Sequence, residues 1–63
     1  IKLTRINGIE IVINADLIQF VETLPDTIVT LTNGQKIIVR ESTDQVVERV
    51  KEFKRDINSG PIA

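Results

Sequence analysis

Alternating apolar and polar residues fill most of the first forty positions of this chain, and one helical pattern follows them. Positions 1–6, 9–13, 17–24, 27–32 and 35–40 are rich in β-branched residues, which suit a pleated, half-buried surface and predict five strands. We therefore expect a mostly β fold with one C-terminal helix, in the order β-β-β-β-β-α. Such a meander would form a small SH3-like open barrel or a strongly twisted antiparallel sheet, with the helix over one open face or end.

Turn residues separate the predicted strands. Two Asn-Gly pairs are the strongest hairpin signals, and they predict two-residue type I′ turns with positive φ at both positions. A Pro-Asp pair predicts a further turn between the third and fourth strands. The predicted structural turn residues are Asn7, Gly8, Pro25, Asn33 and Gly34.

One long helix follows the last strand. Ser42 is its predicted N-cap, because Gln45 stands three residues later and completes a capping box. An apolar stripe at helical spacing contains Val46, Val47, Val50, Phe53 and Ile57. An Asn-Ser-Gly-Pro run then stops the helix. We expect one β-meander plus helix domain over residues 1–57 and a flexible C-terminal tail over residues 58–63.

Composition limits how this domain can be stabilised. The 63 residues include neither Cys nor His, so no disulfide, thiolate or imidazole ligand exists, and no cofactor or metal is expected. Yet 41% of the residues are hydrophobic, which is more than the small interior of such a short chain can hold. Some aliphatic side chains are therefore expected at a partner surface, most simply that of a second copy, and we predict a homo-oligomer.

Most function classes find little support in the residues. Tyr is absent as well as His and Cys, and each glycine is isolated, so we expect no enzyme and no small-molecule substrate. A net charge of −1 disfavours nucleic-acid binding, and we expect the two aromatic residues, Phe20 and Phe53, in the core. No apolar run is long enough for a membrane span. A cytoplasmic location is the default.

Polar residues at turns and strand ends form the candidate partner surface. They are Asn14, Asp16, Glu22, Asp26 and Glu41. Each also has a structural explanation, because Asn and Asp cap their own backbone in turns and acidic residues form the solvated rims of sheets. Elimination leaves a protein-binding or scaffold module, without naming a partner.

Short segments in a fixed order carry a family resemblance that covers nearly the whole chain. They are Ile-Asn-Gly at 6–8, Asn-Ala-Asp-Leu-Ile at 14–18, Glu22, Pro-Asp-Thr at 25–27, Leu-Thr-Asn-Gly at 31–34 and Val-Arg-Glu-Ser at 39–42. With the Val-rich helix, they resemble the small flagellar FlbD family. The resemblance assigns no catalytic or ligand residue.

The resemblance implies a bacterial cytoplasmic protein encoded among flagellar genes, located at the periphery of the flagellar motor. It implies motor or stator proteins as partners, and a role in raising motor power for swarming by helping stator units engage. A second hypothesis stays open. In it, the chain is a small regulatory or nucleic-acid-binding β-barrel that controls flagellar gene expression or assembly.

Overall fold

Five strands and one long helix make up the fold. A computed structural model describes residues 1–23 and 25–58. Its elements are β1 (Lys2–Thr4), β2 (Glu10–Val12), a 3-10 turn (Ala15–Leu17), β3 (Ile18–Thr23), β4 (Thr27–Leu31), β5 (Lys36–Val39) and α1 (Thr43–Asn58). The predicted fold class is confirmed. The predicted end of the third strand at Leu24, the side chain of Ile57 and residues 59–63 of the predicted tail lie outside the described residues.

The strands form two antiparallel sheets, β1-β2 and β3-β4-β5. An isolated bridge between Arg5 and Val39 joins β1 to β5, and Ile6 N donates to Ile38 O beside it at 3.1 Å. The strand order across both sheets is therefore β2-β1-β5-β4-β3. Within the described residues no ladder connects β2 to β3, so the barrel is open rather than closed.

The core lies between the sheets and α1. Its buried members are Leu3, Ile13, Val29, Leu31, Ile37, Val39 and Val46. Strand alternation directs the side chains of β4 and β5 inward at every second position, and α1 contributes one fully buried valine. Each such side chain stabilises the fold by about 1.5–3 kcal/mol. This single small core holds only part of the aliphatic residues, and several others are exposed.

The first Asn-Gly turn is a three-residue loop, not the predicted two-residue type I′ turn. Among the described residues only glycines have positive φ, so Asn7 does not adopt the conformation that type I′ requires. Gly8, with φ of +92°, donates from N to Arg5 O at 2.8 Å, and Arg5 N donates to Ile9 O at 2.8 Å. This pattern is a type I turn followed by a left-handed glycine, which forms a bulge.

The second Asn-Gly loop repeats this geometry over residues 32–34. Gly34 N donates to Leu31 O at 2.9 Å, and Leu31 N donates to Gln35 O at 2.8 Å. Asn33 Oδ1 accepts a hydrogen bond from Gln35 N at 2.9 Å. Asparagine thus stabilises the turn through its side chain, while only the glycine needs positive φ. The predicted type is wrong because each hairpin accommodates one more loop residue than a type I′ turn contains.

Replacing Gly34 with alanine is expected to lower the free energy of unfolding by about 1–2 kcal/mol, because a left-handed conformation costs an L-residue about that much. The added Cβ would meet no atom within 4 Å, so the loss reports backbone conformation alone.

Gly8→Ala in the first hairpin loop is the comparison for this substitution. Its Cβ would lie 3.3 Å from Arg40 Nη2, so a somewhat larger loss is expected. Urea titration measures both, and an unchanged midpoint for Gly34→Ala would contradict the assigned conformation.

A bulge in β3 reverses the face on which Phe20 lies. Ile18 pairs with Leu31, whereas Phe20 pairs with Thr30, so Gln19 has no partner in the register. One extra residue shifts the alternation of the strand by one position. Ile18 accordingly packs against the core, while Phe20 is 52% exposed. The prediction that Phe20 is a core residue is therefore wrong, because it assumed strict alternation.

The helix begins at a reciprocal capping box. Ser42 Oγ accepts from Gln45 N at 3.1 Å, and Gln45 Oε1 accepts from Ser42 N at 2.8 Å. Val46 is fully buried and Phe53 is half-buried, whereas Val47 is 44% exposed. The apolar stripe is thus narrower than predicted, and Val47 lies on its flank beside β3.

Candidate protein-interaction surfaces

The five polar residues predicted at a partner surface lie in three separate places. Asn14 Oδ1 accepts from Asp16 N at 3.1 Å and caps the 3-10 turn. Both residues are exposed, as are Glu22 and Asp26 at the β3–β4 hairpin. Glu41, in contrast, is only 8% exposed. The expectation that the Glu41 side chain faces solvent is therefore wrong.

The side chain of Glu41, just before α1, links β1 to the beginning of the helix. Its Oε1 accepts from Thr4 N at 2.8 Å, and its Oε2 accepts from Thr4 Oγ1 at 3.0 Å. Arg49 Nη1 donates to Glu41 Oε2 at 3.0 Å and to Lys2 O at 2.7 Å. Arg40 N donates to Thr4 O beside them at 2.8 Å. The side chains of Glu41 and Arg49 therefore extend the contact between β1 and β5 to the residues that precede and form α1.

Hydrogen bonding keeps the Glu41 carboxylate charged. Burial alone would raise the pKa of Glu41. Donation from the Thr4 amide, from the Glu41 amide itself, from the Thr4 hydroxyl and from the Arg49 guanidinium outweighs burial and holds the pKa below its ordinary value of 4.5. At neutral pH the carboxylate is thus ionised, and its hydrogen bonds to Thr4 and Arg49 stabilise the fold.

The face of the β3-β4-β5 sheet that points away from the core carries exposed apolar side chains. Ile28 lies opposite Ile38 in register, with Glu22 at the β3 end of the same row. Ile6 extends the row through its bond to Ile38, and Phe20 is diagonal to Ile28. Ile6 is 50% exposed and Ile38 is 41% exposed. Ile6, Phe20, Ile28 and Ile38 together form the outer apolar face.

Charged side chains border the outer apolar face. Glu22 lies on β3 at one edge, while Lys36 on β5 and Arg40 just after it stand on either side of Ile38. Between them Thr30 is buried, and its hydroxyl has no hydrogen-bond partner among the described residues. The face therefore has an apolar centre and a charged rim, which is the usual anatomy of a protein–protein interface.

A second apolar surface is an open groove of about 250 Å³ between α1 and β3. Its apolar lining includes Ile18, Val21, Val47 and Val50. Two exposed lysines, Lys51 and Lys54, also line it, and no acidic residue of the described chain does. This α1–β3 groove is thus apolar with one sign of charge.

The opposite flank of α1 borders a larger open hollow of about 540 Å³ beside β1 and β2. Glu10, Glu52 and Asp56 line it, together with one lysine and the Glu41–Arg49 ion pair. The helix therefore separates a basic groove from a mainly acidic one.

Residues 1–23 and 25–58 contain no group of three or more His, Cys, Asp or Glu side chains that could hold a metal ion. The helix in this part of the chain is not long and apolar enough to cross a membrane.

Sequence patterns missed the outer apolar face, although one signal for it was present. Ile37, Ile38 and Val39 are consecutive in β5, and an uninterrupted apolar run is typical of a strand that is covered on both sides. In this structure Ile37 and Val39 are buried, whereas Ile38 is exposed. The run therefore carried a signal for an exposed apolar position in β5.

Comparison with known protein families finds a match that covers most of the chain. The model of a family named FlbD, described as Flagellar and Swarming motility proteins, matches residues 1–58. No curated protein matches the chain, and no solved structure does.

Proposed function

Because this chain belongs to the FlbD family of flagellar and swarming motility proteins, we propose that it supports motor power and swarming by promoting the engagement of stator units through protein–protein contacts. Within the family, we assign it to the kind represented by the swarming-motility protein SwrD, which the sequence resembles. The proposal gives the protein no catalytic step. It locates the protein in the cytoplasm, at the periphery of the flagellar motor, with motor or stator proteins as partners.

The outer apolar face is the observation that carries the contact role. Its members lie on one face of the sheet, with the partly exposed Ile28 on β4 between Phe20 on β3 and Ile38 on β5, and contiguous apolar patches of this kind mark interaction sites.

A second copy of the chain is the occupant that fits the outer apolar face best. Under two-fold symmetry the same surface faces itself, so the charges at its rim are compensated when the face carries both signs. This one does, because Glu22 at the β3 edge can approach Lys36 or Arg40 beside Ile38 of the other copy. The proposal therefore includes a homo-oligomer assembled through this face, which leaves the α1–β3 groove free.

Tethered-cell torque tests the proposed role when filaments are counted in the same cells. In a strain that lacks this gene, we expect a normal filament number with reduced torque, and we expect extra stator protein to restore the torque. Normal torque with fewer filaments would contradict the proposal. That result would instead support the second hypothesis, a regulator of flagellar gene expression or assembly.

A further inference from the structure

The α1–β3 groove runs beside a sheet edge. β3 is the terminal strand of the β3-β4-β5 sheet, so within the described residues one of its sides has no ladder partner. α1 packs against β3, and the groove lies between them. A free strand edge next to an apolar groove is the arrangement that proteins use to bind an extended segment by strand addition.

The positive charge along the groove determines which extended segments would bind there. Lys51 and Lys54 are one helical turn apart, and neither forms an ion pair or a hydrogen bond within the described residues. The chain as a whole has a net charge of −1, so two unpaired cations beside an apolar lining are a local exception. They favour carboxylates on whatever occupies the groove.

The volume of the groove argues for polypeptide side chains. Small-molecule pockets usually measure about 300–1,000 Å³ and enclose their ligand, whereas this groove is open and measures about 250 Å³. Such a space suits one or two side chains of a segment whose backbone lies outside it.

We infer that the groove binds an extended segment of another protein in which apolar and acidic residues alternate. The segment pairs with the free edge of β3, places apolar side chains against Val21 and Val47, and directs carboxylates to Lys51 and Lys54. This inference rests on the proposed function, since it states the chemistry of the partner through which the protein would act.

Charge argues against two other occupants. Pairing of β3 with β3 of a second copy would bring two sets of Lys51 and Lys54 to the same side of the joined sheet, where they repel. An anionic membrane surface is recognised by clusters of about 4–8 basic residues. Here Glu48 and Glu52 stand next to the two lysines on the exposed side of α1.

Selection from a displayed library of random peptides tests the inference with the purified full chain. Wild-type protein is expected to enrich peptides in which Asp or Glu alternates with apolar residues. The variant Lys51→Glu with Lys54→Glu should bind those peptides on the order of tenfold more weakly, because attraction at two rim pairs becomes repulsion. This double variant should instead enrich peptides that contain Lys and Arg. Lys2→Glu, an exposed position on the other flank of α1 and outside both proposed surfaces, is the charge control and should keep the wild-type preference.

Chemical-shift mapping and amide exchange locate the bound peptide. The best acidic peptide is expected to shift the signals of β3 and of residues 47–54, and to protect β3 amides that exchange in the free protein. The inference is overturned if no peptide is enriched, if the Lys51 and Lys54 double variant selects the same sequences as the Lys2→Glu control, or if the shifts fall on the outer apolar face. None of these results alters the torque of cells that lack the gene, so failure here is separate from failure of the proposed function.

Discussion

Replacing Glu41 with alanine is expected to lower the free energy of unfolding at pH 7 by about 2–3 kcal/mol, the cost of leaving buried donors and a charged partner unsatisfied. The substitution removes the acceptor for the Thr4 amide and hydroxyl and for one Arg49 bond. It also removes the side-chain link between Thr4 of β1 and the residue that precedes the capping box of α1. For a domain of this size, with total stability of about 5 kcal/mol, the loss amounts to half. Urea unfolding measures it.

The same interaction has a defined pH dependence. Because the pKa of Glu41 is lower in the folded protein than its ordinary value of 4.5, the ionised side chain stabilises the fold above that value. This stability is lost as the pH falls from about 4.5 through the lower folded pKa. The stability difference between wild type and Glu41→Gln should therefore be full at neutral pH and shrink in acid. Glu48→Gln, at an exposed position of α1, is the control and should leave the midpoint nearly unchanged at pH 7. A Glu41→Gln effect of equal size at every pH would contradict the ionic role.

Joint replacement of Phe20 and Ile38 with serine is expected to abolish swarming while the domain still folds. Phe20 is 52% exposed, Ile38 is 41% exposed and neither belongs to the core cluster, so their loss removes little core packing and the domain should keep its fold. Their loss does remove the apolar centre of the outer apolar face, through which the proposed homo-oligomer forms. Sedimentation equilibrium should accordingly find the wild type self-associated and the double variant monomeric.

Val12→Ser provides the matched control for this variant. Val12 is 71% exposed and pairs with Lys2 at the far end of the β1–β2 sheet, so the substitution removes exposed apolar surface elsewhere. It should swarm like wild type and keep the wild-type mass in solution. If the Phe20 and Ile38 variant is monomeric yet swarms normally, self-association through this face is not needed for function. If wild type is monomeric, the homo-oligomer is disproved.

Local sequence signals predicted the elements of this fold because their causes are local. Strand alternation, the Asn-Gly hairpins and the Ser42–Gln45 capping box each depend on residues within a few positions of one another. The turn type was wrong because an Asn-Gly pair is compatible with both a two-residue and a three-residue loop, and the paired strands decide between them. The orientation of Phe20 was wrong because the unmatched Gln19 is visible only once β3 is aligned with β4.

The role of Glu41 could not be derived from its neighbours in the sequence. Its partner Thr4 is 37 positions away, and only the bridge between β1 and β5 brings them together. A carboxylate at the end of a strand is usually solvated, so the burial of Glu41 depends on topology alone. The outer apolar face and the α1–β3 groove could not be predicted for the same reason, since each combines side chains from elements that are separated in the chain.

Stepwise changes in motor speed test the central claim, support of stator engagement, most directly. In single tethered cells each stator unit that joins a motor raises the speed by one step, so step number and step height separate engagement from force generation. Cells that lack this gene should show fewer steps of unchanged height, and the wild-type gene should restore the number, whereas the Phe20 and Ile38 double variant should not. An unchanged number of steps, each of reduced height, would contradict stator engagement as the role of this protein.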